Sequence, residues 1–202
     1  MRKRVAVVGV AEHGNAAELV TLSAADGSLL DRRRVDLTQG LPTQPYHHEG
    51  AWALGRYRGS AWSRDVSLEE AIELIQQVEA AAAVGARTAL EALAGEVAAP
   101  IERIAVRTCA ELPATIEARL RDNRAQTMAD SITYRQALAR AAEGRGWSVV
   151  WYDRKQVHEE AAAFLADADL DVVLKAMGKQ VGPPWQARHR LAAAAALAAS
   201  RG

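Results

Sequence analysis

Val5-Ala-Val-Val-Gly-Val10 is an unbroken apolar run, the pattern of a strand covered on both faces rather than one that alternates between core and water. Gly14-Asn15 turns the chain, a second strand covers residues 18–23, and Asp26-Gly27 marks a hairpin because both residues tolerate positive φ. Residues 29–37 form a third strand in which Arg32, Arg34 and Asp36 break up the apolar positions, as suits a charged sheet edge. Residues 38–66 keep neither period and hold Gly40, Pro42, Pro45, Gly50, Gly55 and Gly59, so they read as one long loop. Ser67-Leu-Glu-Glu70 is a capping box, and Leu68, Ile72, Ile75, Val78, Ala82, Ala86, Ala89 and Leu93 then follow helical spacing until Gly95.

Residues 101–109 and 147–152 are the fourth and fifth strands, with helical segments between them beginning near Pro113 and Thr127. That alternation implies parallel pairing. Asp153 and Asp169 are placed to cap two more helices, the second ending near Gly178, and Gly182-Pro-Pro184 precedes a final Ala-rich helix over residues 185–200. The pattern predicts an α/β fold, a mixed five-stranded sheet flanked by helices, in a single domain over 1–202.

Composition adds limits. The 202 residues carry 25 Lys+Arg against 25 Asp+Glu, so the molecule as a whole does not attract phosphate, and nucleic-acid binding needs a local patch. Cys109 is the only cysteine, which excludes an intrachain disulfide and reads as a buried thiol in a reducing compartment. The basic start at residues 1–4 is followed by too short an apolar run for export, and the Ala-rich tail is too short for a membrane span. The expectation is a cytoplasmic protein with no membrane partner.

Four groups of residues carry candidate chemistry. Tyr46-His47-His48-Glu49 sits in the long loop, where adjacent imidazoles and a carboxylate suit proton transfer or a transition metal, or else pack the loop. Trp52, Tyr57 and Trp62 interleave with Arg56, Arg58 and Arg64, a pattern for stacking bases and contacting phosphates, or for docking on the domain itself or a partner subunit. Arg121, Arg124, Asp130, Tyr134 and Arg135 are either a hydrogen-bond network or a solvated helix face. Trp185, Gln186, Arg188 and His189 open the last helix, with Gln186 and His189 at helical spacing. There is no Gly-x-Gly-x-x-Gly and no Walker Gly-Lys-Ser/Thr, so no nucleotide cofactor is expected.

The order of elements resembles the RNase H-like fold over nearly the whole chain, which implies strand order 3-2-1-4-5. The two ends are most similar to RuvC-type resolvases, through Val8-Gly-Val-Ala-Glu-His-Gly14 and the final helix from His189 to Leu197. Pro45-Tyr-His-His-Glu-Gly50 and Gly182-Pro-Pro-Trp-Gln186 also resemble segments of an uncharacterised bacterial family, which implies no function. The RuvC resemblance implies nuclease activity on DNA or RNA with Mg²⁺ or Mn²⁺ held by acids, and a homodimer. Carried over by position, Ala11 stands where the first-strand Asp is expected, with Glu12 next to it. His189 fits a final-helix ligand, Ala192 replaces its companion, and Arg107 and Thr108 replace the fourth-strand Glu, with Glu111 only after the strand.

Two readings follow. In the first, a metal-dependent nuclease uses Glu12, His189 and Glu49 as ligands, His48 and Glu49 as auxiliary ligands or base, and Arg107 to balance phosphate charge. Such a His/carboxylate set suits Mn, Fe or Zn better than Mg. Trp52, Trp62, Arg64 and Gln186 would then contact substrate. In the second, a non-catalytic RNase H-like module binds nucleic acid or a protein through the Trp/Arg loop.

Overall fold

The computed structural model describes residues 5–166 and 168–201; the basic start at residues 1–4 lies outside them. Five strands form one sheet: β1 (Ala6–His13), β2 (Ala16–Ser23), β3 (Leu29–Asp36), β4 (Ile101–Arg107) and β5 (Ser148–Tyr152). The order is β3-β2-β1-β4-β5, with β1, β2 and β3 antiparallel and β1, β4 and β5 parallel, as expected. Gly27 turns the β2–β3 hairpin at φ 69°.

Among the described residues seven helices accompany it: α1 (Glu49–Ala53), α2 (Leu68–Glu96), α3 (Ile116–Arg121), α4 (Asn123–Glu143), α5 (Val157–Leu165), α6 (Leu170–Val181) and α7 (Ala187–Ala199). The pleat of β1 divides the core. Ala6, Val8 and Val10 face α2 and α4, whereas Val7 and Ala11 face α5, α6 and α7. A strand buried on both sides therefore reads as an unbroken apolar run. Gly9 lets α7 lie directly on the sheet: a Cβ there would overlap the carbonyl oxygen of Ala192. Alanines 192–196 are all fully buried against that face, which is why the last helix is built from small side chains.

The ends of the elements differ from expectation: β2 starts two residues earlier, β4 stops two residues earlier and α6 runs on to Val181. The 38–66 segment is not all loop, because residues 49–53 make the single helical turn α1, too short to show a period. Asp153 does not cap α5; its carboxylate accepts from Lys155 N–H in the preceding turn, and Gln156 is the N-cap. Asp122, rather than a residue near Thr127, caps α4 by accepting from the N–H groups of Arg124 and Ala125. The Ser67–Glu70 capping box and the Asp169 cap form as the sequence predicts. Among the described residues, no helix is long and apolar enough to cross a membrane.

Candidate functional site

The parallel strands β1, β4 and β5 end at one edge of the sheet, which is where residue chemistry collects. Glu12, the penultimate residue of β1, turns toward α4, and its carboxylate accepts from Arg135 Nε at 2.7 Å with Arg135 Nη2 at 2.5 Å. Arg107, at the end of β4, stands 3.8 Å away. Both the Glu12 and Arg135 side chains are less than a tenth exposed, so the carboxylate is already neutralised by a bidentate guanidinium. Arg135 also donates to Thr108 O at 3.1 Å, tying the end of β4 to α4. Cys109 is half-buried beside them rather than fully buried, and burial raises its thiol above the usual range.

His189 lies on the other side of the sheet. Its register neighbourhood explains the partner: Glu18 pairs with Ala11 across β1 and β2, so it faces α7. Glu18 Oε2 lies 3.2 Å from His189 Nε2, and Gln186 N–H donates to His189 Nδ1 at 3.1 Å. An Nδ1 that accepts carries no proton, which places the imidazole proton on Nε2, toward Glu18. Burial holds His189 below its ordinary 6.5, with Arg32 and Arg188 acting in the same direction and Glu18 opposing them. Trp185 stacks on the ring with centroids 5.6 Å apart. Both nitrogens are therefore engaged within the fold.

Between these two arrangements the edge is apolar. Ala11, Ala192 and Tyr152 belong to one buried layer, and Tyr152 Oη donates to Val10 O at 2.8 Å. These are the β1 and α7 positions at which the resemblance expects acids. The donor set does not fit a divalent ion. Glu12 and His189 are committed to Arg135 and Glu18 on opposite faces of the sheet, and no group of three His, Cys, Asp or Glu among the described residues is placed to share a metal. Mg²⁺ and Mn²⁺ need several hard oxygen ligands around one point.

The loop residues gather elsewhere. Asp130, buried on α4, accepts from the N–H groups of Tyr46 and His47, both at 3.0 Å. Tyr134 Oη donates to Thr43 O at 3.0 Å. Asp130, Tyr134 and Arg135 are thus buried clamps and not a solvated face, whereas Arg121 and Arg124 are exposed. His48 stacks on Trp52 at 5.9 Å, and Trp62 packs against both rings. Trp62 remains 49% exposed and Tyr57 45%, so these two rings keep one side in solvent. The sequence reading missed Asp130 as an anchor and Glu18 as the partner of His189, since both roles come from residues distant along the chain.

A further feature of the edge gathers residues from three separate segments of the chain. Arg154, just past β5, faces Arg188 and Arg190 on α7 and His158 on α5 across a groove of about 290 Å³. Arg190 is paired with Asp171, and among the described residues no carboxylate lines the groove. Its chemistry is that of an anion site.

Sheet order, crossover helices and the helix laid over β1 define the RNase H-like class of fold. Within that class the likeness is to RuvC. The structure titled "T. thermophilus RuvC in complex with Holliday junction substrate" matches at TM-score 0.52 and 16% identity over 96% of this chain and 92% of that one. A second Thermus thermophilus RuvC structure matches at TM-score 0.50 and 15% identity, with the same coverage. A scan against protein-family models and a search of curated proteins each find no match.

Proposed function

We propose that the chain is a non-catalytic RNase H-like module that binds the phosphate backbone of a nucleic acid along the carboxyl edge of its sheet. The observation that carries this reading is the groove of Arg154, His158, Arg188 and Arg190, with no carboxylate in its lining among the described residues. It supplies the local cationic patch that a chain of zero formal charge needs. It lies on the edge where a two-metal nuclease would hold its acids, and there Ala11 and Ala192 are buried alanines. Two-metal hydrolysis requires ligands that bring two ions to the scissile phosphate, whereas retention of the backbone requires only cations. The RuvC neighbour's Holliday junction makes a four-way junction the first substrate to offer.

Fluorescence anisotropy with labelled junction, duplex and single-stranded DNA and RNA, with Mn²⁺ present, tests the reading. The expected outcome is salt-sensitive binding without strand cleavage, weakened about tenfold by the double change Arg154→Ala and Arg188→Ala, with the salt slope falling by about one per arginine. Mn²⁺-dependent strand cleavage by the unaltered protein would instead establish the nuclease reading. Binding untouched by the arginine changes would remove this groove from the interface.

A further inference from the structure

A second groove, along the first turns of α2, has the reverse charge. It is about 400 Å³ in volume and is lined by Glu49, Trp52, Arg64, Glu70, Glu73 and Leu74, among others. Three carboxylates face one guanidinium. Arg64 lies over the Trp52 ring, its Cζ 5.7 Å from the centroid, and makes no ion pair within 4.0 Å among the described residues. Two polar atoms in the lining are buried without a partner among the described residues, Glu49 Oε2 and Trp52 Nε1. One needs a donor and the other an acceptor, and leaving both unmet is costly. Beside the groove, Tyr57 and Trp62 pack at a tilt of 44° with centroids 4.7 Å apart and stay near half exposed.

We infer that this groove docks an extended, arginine-bearing segment of a partner protein, whose guanidinium takes the place of Arg64 over Trp52. The charge balance selects a cation, and the carboxylates repel the phosphates that would accompany a stacked base. The lining selects an arginine side chain: its guanidinium stacks on the Trp52 indole, as Arg64 does, and donates to the Glu73 carboxylate. Arginine fits better than lysine because its planar fork stacks on indole and meets a carboxylate through two N–H groups. Arg64 acts as an internal stand-in that shows the chemistry the groove takes. This docking surface is separate from the cationic groove, so it stands whether or not the chain binds nucleic acid.

The test is anisotropy titration of the full chain with three labelled nonapeptides that alternate glycine with arginine, lysine or glutamate, and with a labelled oligo-dT of similar length. The arginine peptide is expected to bind, the lysine peptide about fivefold more weakly, and the glutamate peptide not at all. Glu49→Gln together with Glu73→Gln should weaken the arginine peptide about tenfold or more. Arg64→Ala, an exposed change that removes the competitor, should strengthen it. No binding of the arginine peptide, binding indifferent to the glutamate changes, or weakening by Arg64→Ala would each overturn the inference. So would oligo-dT binding that depends on Trp52.

Discussion

Removing the charge of Glu12 leaves the Arg135 guanidinium buried without its anion. Glu12→Gln is therefore expected to destabilise the protein by about 3 kcal/mol, read by urea unfolding. If Glu12 were a free metal ligand, the same change would leave stability nearly intact, so one unfolding curve separates the roles. Asp130 makes a second prediction at this scale. Burial, with Glu49 adding to it, raises its carboxyl from 3.8 to about 7, against the two N–H groups that favour the ionised form. The folded state thus holds this proton more tightly than the unfolded chain. Its contribution to stability is full below about pH 4 and declines as pH rises toward about 7, by at most ~4 kcal/mol. Asp130→Asn should flatten that slope in unfolding curves taken across the range. Neither role was legible beforehand, because Arg135 lies 123 positions from Glu12 and Asp130 lies 84 from Tyr46. Local spacing carries no information about such pairs.

Among the elements, two glycines mark where backbones meet. A Cβ on Gly9 would overlap the backbone of Ala192 in α7, and one on Gly85 in α2 would overlap the carbonyl of Leu37 at the exit of β3. Each Gly→Ala change should cost about 3 kcal/mol through forced separation of packed elements; Gly95→Ala, with open space around it, is the control. Thermal unfolding of the three variants checks the contrast. The strands and α2 were legible because their burial is periodic or complete: Ile75, Val78, Ala82, Ala86 and Leu93 are all buried, as their spacing predicts. α1 was not, since five residues show no period. α4 buries residues on several sides, Gln126, Asp130 and Arg135 among them, so its polar positions mimic a solvated face.

For the molecule as a whole, mixed pairing was legible from the succession of elements and the strand order from the RNase H-like resemblance, as was the replacement of the edge acids; the partners that hold Glu12 and His189 were not. Sequence position alone put Glu12 beside the expected acid; the pleat puts it in the other layer from Ala11. Because the edge is held by Arg135–Glu12, His189–Glu18 and alanine packing, stability should not depend on a bound ion. Chelator-treated and Mn²⁺-reloaded samples are expected to unfold at the same temperature in differential scanning calorimetry, and a shift on reloading would show a site in use.

The anchoring of the 38–66 segment has its own consequence. Leu37 is pressed onto Gly85, Tyr46 and His47 hang from Asp130, Arg56 donates to Gln126 and to Leu120 O, and Ser67 closes the far end. A segment fixed at so many points has lost most of its freedom before any partner arrives. Association there would draw little on the ordering entropy that a mobile loop must give up. Its calorimetric signature would be a modest negative heat-capacity change from aromatic surface leaving water, without the much larger one that accompanies folding on binding.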